Sequence, residues 1–378
     1  MARIERVVLH RRSVPLRRPF VTAVRRADAV DALLVTVVDS DGRVGWGEAP
    51  ASWRVTGESH ASISEAVAGP LSHAVVGMPG DDPVTTSDRL ARAVVGNASA
   101  RMAVECAVWD LAARAAGQPL YRYLGGEADV IETDMTLSAA VTARDEAELL
   151  LAAEEHVDDG FTTLKVKTGA GGDDDRIVRS LRERFGGALT IRVDANQAWE
   201  PREAVRIVND WEEDGIGVEL VEQPVHRDDI DGLAYVARHT ATPIVADESV
   251  WTTRNLREIL ARGAVDRINV KLAKTGGLAE ALALADAARE AGVSVFVGCM
   301  SESQVGIAAA AALASRLRVT HGSLGAHDLD AGLWLSASPV VGGVAYAGRH
   351  VHLADGPGTG IEALAAVPAD IAAGGGRR

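Results

Sequence analysis

The sequence predicts an α/β protein built on a closed barrel of alternating strands and helices, with a smaller α+β region ahead of it. Two observations carry this. Between Thr163 and Lys271, short apolar runs ending in a charged residue recur about every 25 residues, roughly one strand, one helix and two loops. The stretches between them repeat apolar residues at i, i+3, i+4 and i+7, the spacing of a helix with one buried face. Near-continuous apolar strands alternating with one-faced helices argue for a parallel sheet covered by helices. At least six such units in a row favour closure into a (β/α) barrel over an open doubly wound sheet. A barrel takes about 200 to 250 residues, so a chain of 378 has room for a second domain.

The first quarter supplies it. Val7 to Leu9 and Leu33 to Val38 read as strands, and Asp41-Gly42 before Val44 to Trp46 marks a hairpin turn. Helical patterns follow from His60 to Val76, Thr86 to Val95 and Ala100 to Ala116. The barrel strands are then Leu164 to Lys167, Leu189 to Asp194, Gly217 to Glu222, Ile244 to Asp247 and Ile268 to Lys271. Pro201 suits a first helical position, Ala204, Ile207, Val208 and Trp211 form the buried stripe, and Gly215 stops the helix. Leu256, Ile259 and Leu260 repeat the stripe before Gly263, as do Leu278, Ala281, Leu282 and Ala285 before Gly292. The alanine-rich run from Ile307 to Ala314 reads as a buried barrel helix, being too short to span a membrane. Gly374 to Arg378 is expected to be a frayed tail.

Composition narrows the function. A net charge of −14 argues against nucleic acid as a partner, and 47% hydrophobic with 24% charged residues is ordinary for a soluble enzyme. With only Cys106 and Cys299 there is no disulfide framework and no cysteine-based zinc site. A cytoplasmic location fits, since no apolar signal core and no membrane span are visible. The ten histidines show no metal-ligand spacing.

The chemistry follows from where the polar residues fall. In a parallel barrel the C-terminal strand ends meet at one mouth. Asp194, Glu222 and Asp247 end three consecutive strands, and three converging carboxylates repel one another unless a cation neutralises them. Hard oxygen ligands with room for water and substrate oxygens suit Mg²⁺. Lys167 and Lys271 end the strands before and after the trio, so they flank the metal from opposite sides. The α-hydrogen of a carboxylate is a weak acid, and removing it needs a cation on the enediolate oxygens and a nearby base. Lys165 shares a face with Lys167, and its ammonium lowers the pKa of the base. A lysine on each face of a planar enediolate lets a proton leave one side and return on the other, inverting the carbon.

The ladder Lys165-Val166-Lys167, Asp194-Ala195-Asn196, Glu222-Gln223-Pro224, Asp247-Glu248-Ser249 and Lys271 resembles the enolase superfamily, which pairs a lysine base with Mg²⁺. Gly298-Cys299-Met300-Ser301-Glu302-Ser303, Asp328-Leu329-Asp330 and Pro19-Phe20-Val21-Thr22-Ala23-Val24-Arg25 narrow the resemblance to the muconate-lactonizing subgroup and its dipeptide epimerases. It runs from Val14 to Glu362. It implies an α+β cap over the barrel mouth, with the expected division 1–125 cap, 126–338 barrel and 339–378 a segment that returns to the cap through Val340 to Leu353. It also implies Mg²⁺, a small dipeptide substrate and an assembly of like chains. Asp328 and Asp330 are then expected to grip a free α-ammonium, and Arg25 an acidic side chain, pointing to Ala-Glu. Cys299, Met300 and Ser301 are expected to face the substrate.

Plainer readings stand beside these. Asp328 and Asp330 alone would suit an Asx turn. Arg17, Arg18 and Arg26, which with Arg25 form a basic cluster, read as a solvated loop. Thr56-Gly57-Glu58, in the loop from Trp53 to Ser59, either helps close the site or forms a plain turn before a helix. Glu248 orients neighbours, because adjacent strand residues point oppositely, whereas Asn196 shares the face of Asp194 and supports it from behind. Cys299 is a small packing residue with no histidine base in pattern, and Gly169 to Gly172 lacks a phosphate-loop ending. Rival functions are o-succinylbenzoate synthesis, N-acylamino acid racemisation or muconate cycloisomerisation on the same residues, or a silent barrel that binds an anion.

Overall fold

The computed structural model describes residues 2–22, 25–138, 146–169, 173–322 and 325–366. The chain opens with an antiparallel sheet of β1 (Ile4–Thr22), β2 (Arg25–Asp39) and β3 (Val44–Ala49). The expected basic loop at Arg17 and Arg18 is instead part of β1, an edge strand held by its pairing with β2 through a register shift between Pro15 and Phe20. An edge position tolerates proline, and cross-strand pairing overrides the weak strand propensity of the arginines. β3 lies directly on α3 (Ala98–Ala115). A Cβ on Gly45 or Gly47 would stand 2.0 Å from the carbonyl oxygens of Ala107 or Ala103, so only glycine permits this approach.

Before α3 come α1 (His60–Ala66) and α2 (Pro83–Ala93). The single helix expected from His60 to Val76 is broken by a π-helical stretch over Val67–Leu71 and resumes at Ser72–Val75. Pro70 lacks the N–H that a straight helix needs there, and Gly69 takes non-helical angles beside it.

After β4 (Val130–Glu132), seven strands run parallel in chain order. They are β5 (Met135–Leu137), β6 (Thr163–Lys167), β7 (Thr190–Asp194), β8 (Val218–Glu222), β9 (Ile244–Ala246), β10 (Arg267–Lys271) and β11 (Ser294–Gly298). The ring is completed by two residues. His327 bridges in parallel to Thr133 and Asp328 to Gly298, so a short eighth segment joins β11 to the start of β5. The helices between are α4 (Glu146–Asp158), α5 (Asp174–Phe185), α6 (Pro201–Glu213), α7 (Ile230–His239), α8 (Thr253–Arg262), α9 (Leu278–Glu290) and α10 (Gln304–His321).

Alternation along each strand sorts its side chains. Leu164, Val166, Ile191, Val193, Ile268 and Val270 pack outward against the helices in one large core. The intervening residues turn inward, where Leu220, Val245 and Phe296 form a small apolar cluster and the Arg192 guanidinium lies 5.5 Å from the Phe296 ring centre.

The chain then returns to its start. β12 (Val340–Gly342) pairs with β15 (Ile361–Leu364), while β13 (Ala345–Ala347) and β14 (His350–His352) extend a small sheet from β4. Val340 and Ile361 pack with Val14, Leu34 and Trp46 of the first sheet. The tail expected from Gly374 to Arg378, and Ala170, Gly171 and Gly172 of the glycine-rich turn, lie outside the described residues. Among the described residues no helix is long and apolar enough to cross a membrane.

The N-terminal domain sits at the C-terminal ends of the strands, joined there by buried acids. Glu48 on β3 accepts hydrogen bonds from Ser303 N (2.9 Å), Ser303 Oγ (2.6 Å) and Gly306 N (2.9 Å), and so caps α10. Glu105 on α3 accepts from Ala279 N at 2.8 Å in the first turn of α9, whose N-cap Gly277 offers no side chain. Helix N-terminal N–H groups have no partner of their own, and these carboxylates supply one.

Candidate active site

The row of charged strand ends meets at the mouth. Lys167 pairs with Asp194 at one end, and at the other Lys271 Nζ lies 2.7 Å from Asp247 Oδ2 and 4.0 Å from Glu222 Oε1. Lys165 sits one layer deeper, with Nζ 3.1 Å from Asp194 Oδ2, 2.6 Å from Glu222 Oε2 and 2.8 Å from Asp328 Oδ2. The structure therefore brings together Asp194, Glu222, Asp247, Lys165, Lys167, Lys271 and Asp328, all buried.

Asp194 and Glu222 each have one oxygen held by an N–H donor and one turned to the lysines, whereas both oxygens of Asp247 meet lysines. Asp194 Oδ1 accepts from Asn196 N at 2.9 Å, Glu222 Oε1 from Asn269 Nδ2 at 2.9 Å, and Asp247 Oδ1 from Lys274 Nζ at 2.6 Å. The free set, Asp194 Oδ2, Glu222 Oε2 and Asp247 Oδ2, faces ammonium groups. Hard oxygens of this type suit Mg²⁺, but among the described residues the acids whose ligand oxygens lie within 4.8 Å of one another are Asp134, Asp328 and Asp330, so an ion on Asp194, Glu222 and Asp247 would have to displace the ammonium groups and draw those oxygens together.

Burial pushes the acids' pKa values up, and the lysines decide how far each departs. Against burial, Lys167 and Lys165 hold Asp194 down to about 2, and Lys271 and Lys274 hold Asp247 well below the usual range. Glu222 stays raised, because burial and the charges of Asp194 and Asp247 outweigh Lys165 and Lys271. Burial works against the Lys271 ammonium, but Asp247 and Glu222 overcome it and the pKa is raised.

Several expectations are refined by position. Asp247 lies just past β9, so strand alternation does not govern Glu248. Glu248 is buried in the same cluster, and burial followed by the charges of Asp247 and Asp194 pushes it to about 7. Asn196, in a left-handed conformation, supports Asp194 through its backbone N–H, its side chain taking no part in that bond. Gln223 is equally placed to hold the loop, since its Oε1 accepts from Asp247 N (3.0 Å) and Ser249 N (3.1 Å). Cys299 is buried against this wall, and burial followed by Asp328 raises its thiol pKa, which suits packing and not nucleophilic attack. Met300 N donates to Glu302 Oε1 at 2.7 Å, and Met300 and Ser301 are half-buried beside it. Asp330 accepts from Thr136 N (2.7 Å) and Trp334 Nε1 (3.1 Å), and its carboxyl is pushed to about 7 by burial and then by Asp328. The Arg25 backbone pairs with Thr22, and its side chain lies outside the described residues.

Lys274, Asn269 and Asp134 were not anticipated. Asn269 carried a signal, being two residues before Lys271 and so on its face, whereas Lys274 belongs to a short helical turn, Leu272–Thr275, that breaks the strand pattern. The loop from Trp53 to Ser59 does two things. Glu58 takes the N–H groups of Ser99 (2.9 Å) and Ala100 (3.0 Å) at the start of α3, and Val55 O accepts from Arg227 Nη1 (3.2 Å) in the loop after β8. A cavity of about 500 Å³ is lined by Arg17, Met135, Thr136, Glu155, His156 and Trp334, among others; Asp194, Glu222, Asp247 and Asp328 do not line it, and it adjoins the site at Thr136 and Trp334, which donate to Asp330.

Comparison with known proteins matches the same plan. Residues 4–125 fit the family model of the mandelate racemase / muconate lactonizing enzyme N-terminal domain, and residues 148–367 that of the enolase C-terminal domain-like family. The chain is 39% identical to the L-Ala-D/L-Glu epimerase of Bacillus subtilis, over 95% of this chain and 96% of that protein. It is 34% identical to the hydrophobic dipeptide epimerase of Enterococcus faecalis, over 95% and 99%. The substrate-liganded structure of the Bacillus subtilis enzyme superposes with a TM-score of 0.91, covering 96% of this chain and 100% of that one. The Enterococcus faecalis dipeptide epimerase complexed with Mg and L-Leu-L-Tyr superposes at 0.88 with 33% identity, covering 95% and 99%.

Proposed function

The chain belongs to the mandelate racemase / muconate lactonizing enzyme family of the enolase superfamily, and we propose that within it the protein is a Mg²⁺-dependent dipeptide epimerase. The observation that carries this reading is the placing of two lysines, Lys167 and Lys271, at opposite ends of one row of buried acids. Asp194, Glu222 and Asp247 would hold the ion. Bound there, it would take up the acid charge that keeps Lys271 protonated and would steady negative charge on the dipeptide's terminal carboxylate.

The remaining steps belong to this chain's side chains. Once Asp247 is neutralised, burial and the Lys165 charge both favour a neutral Lys271 amine, as proton abstraction requires. One lysine takes the α-proton of the second residue from one face, and the other returns a proton to the opposite face. Asp328 and Asp330 receive the α-ammonium, and Arg25 an acidic side chain, which favours Ala-Glu. Cys299, Met300 and Ser301 border the substrate. The cap, 1–125, and the returning segment, 339–378, exclude water from the barrel, 126–338. A cytoplasmic setting and a homo-oligomeric state complete the reading.

The test is solvent deuterium. The Mg²⁺-loaded protein should incorporate deuterium at the second α-carbon of L-Ala-L-Glu with inversion. Lys271→Ala should lose epimerisation by about 10²- to 10⁴-fold while still exchanging the proton of one configuration. Normal epimerisation by that variant sinks the two-base scheme. Asp328→Asn that leaves dipeptide turnover intact favours a substrate without a free ammonium.

A further inference from the structure

One buried amide ties together the loops that follow β7, β8 and β9. Gln223, fully buried just past β8, uses all four of its hydrogen-bonding positions. Its Oε1 accepts from Asp247 N (3.0 Å) and Ser249 N (3.1 Å), and its Nε2 donates to Val225 O (3.0 Å) and Ser249 Oγ (2.8 Å). The Ser249 hydroxyl donates in turn to Arg227 O at 2.8 Å. Arg227 N donates to Gln197 Oε1 (3.0 Å), and Gln197 N donates to Gln223 O (2.8 Å), which closes the circuit. The backbone here is strained. Among the described residues four that are not glycine take a positive φ, and three of them, Asn196 (45°), Gln197 (71°) and Gln223 (39°), stand in these loops. Such angles persist only where the surrounding bonds over-determine them. Asn196 and Gln223 are also the residues that hold Asp194 and Asp247 in place, through Asp194 Oδ1 and Asp247 N.

The circuit has one arm that leaves the barrel. Arg227 Nη1 donates to Val55 O at 3.2 Å, in the cap loop from Trp53 to Ser59. That loop turns on Ser52, whose carbonyl oxygen accepts from Thr56 N (3.1 Å) and Gly57 N (2.9 Å), and it carries Trp53 with 74% of its surface exposed. Glu58 fixes the end of the loop to α3, which leaves the Arg227 contact to set where the turn meets the barrel. We propose that Gln223, Ser249 and Arg227 are positioning residues that couple this cap loop to the seat of Asp247. An ion held by the acids then orders the loop, and a loosened loop weakens the hold on the ion. The two effects are one statement, because coupling between two sites is reciprocal. Arg227 acts on Asp247 through two intervening side chains, Ser249 and Gln223. The inference rests on the reading above that Asp247 holds a divalent ion.

The experiment titrates Mg²⁺ alone into the full chain, reading Kd by calorimetry and amide hydrogen exchange over residues 50–58 by mass spectrometry. Arg227→Met keeps the stem and removes the donor at a half-buried position. It should weaken Mg²⁺ binding by about threefold to tenfold. Electrostatics alone predicts the opposite sign, since removing a positive charge favours a cation nearby. Arg227→Lys keeps both the charge and a donor, and should return Kd to within about twofold of the unaltered value. Ser249→Ala cuts the circuit between Gln223 and Arg227; it should match Arg227→Met, and the two together should lose no more than either alone. In the unaltered protein Mg²⁺ should slow exchange over 50–58 at least about fivefold, and in Arg227→Met it should not. Mg²⁺ binding by Arg227→Met that is unchanged or tighter, no recovery in Arg227→Lys, additive losses, or loop exchange that ignores Mg²⁺ in the unaltered protein each overturns the coupling and leaves the metal reading intact. Should the unaltered protein bind no Mg²⁺, both readings fall together.

Discussion

Lys274 shows how a single residue fixes the site from outside the repeating pattern. It is fully buried, and its ammonium contacts the backbone carbonyl and Oδ1 of Asp247 and, at 2.9 Å, Asn269 O. Burial lowers its pKa, with Asp247 opposing and Lys271 reinforcing that shift. Removing one member of a buried charged cluster typically costs about 3 to 5 kcal/mol, because its partners are left desolvated and unpaired. Lys274→Met should therefore lower unfolding stability by roughly that much in urea titrations of the metal-free protein. An unchanged midpoint would mean that Lys271 alone secures Asp247. The acids and Lys271 were legible in the sequence because each ends, or in the case of Asp247 directly follows, a strand in a regular repeat. Lys274 was not, since its place is set by a tight turn after Lys271, with Gly276 in a left-handed conformation, and no periodicity encodes that.

At the scale of elements, five consecutive barrel strands, β6 to β10, were readable, whereas β5, β11 and much of the cap were not. Apolar runs and helical stripes report burial by a neighbour close in sequence. The 19-residue β1 hides its strand character because its arginines and prolines are ordered by β2, and the break at Pro70 interrupts what the apolar spacing presented as one helix. The capping of α9 by Glu105 was invisible too, since its partner lies 174 residues away. That contact has a signature in pH. Burial raises Glu105 to about 7, although Ala279 N and Arg101 pull it down. A carboxyl raised on folding favours the native state fully below its unfolded pKa, near 4.5, and loses that advantage as pH rises through about 7. Glu105→Gln keeps an acceptor for Ala279 N and removes the titration. Its stability relative to the unaltered protein should rise by roughly 3 kcal/mol between pH 4.5 and pH 8, measured by chemical denaturation across that range. A difference independent of pH would show that the carboxyl is not buried as described. Gly277 is fixed by the same contact. Its backbone angle, φ 132°, and a Cβ position 2.4 Å from the Glu105 carboxyl carbon leave no room for a side chain.

For the molecule as a whole, the site is also a joint. The three proposed metal ligands end β7 and β8 and follow β9, and the lysines on either side belong to β6 and β10, so one cluster links five consecutive strands of the ring. Without a divalent ion, four ammonium groups balance these acids; an ion that takes their free oxygens binds only where the strands are already assembled, because the unfolded chain cannot present three carboxylates together. Ligand that binds the native state alone stabilises it by about 2.7 kcal/mol at a hundred times its Kd. For a chain of this length that corresponds to a rise of about 3 °C in Tm. Mg²⁺ should thus raise the melting temperature by about that amount, with EDTA reversing it. Glu222→Gln keeps an oxygen for Asn269 and loses the charge at the centre of the row, so its melting temperature should not respond to Mg²⁺ over the same range. A response equal to that of the unaltered protein would place the ion elsewhere and leave Glu222 as a counter-charge for Lys165. Because the readout is thermal, it decides whether this trio holds the ion independently of which peptide the protein turns over.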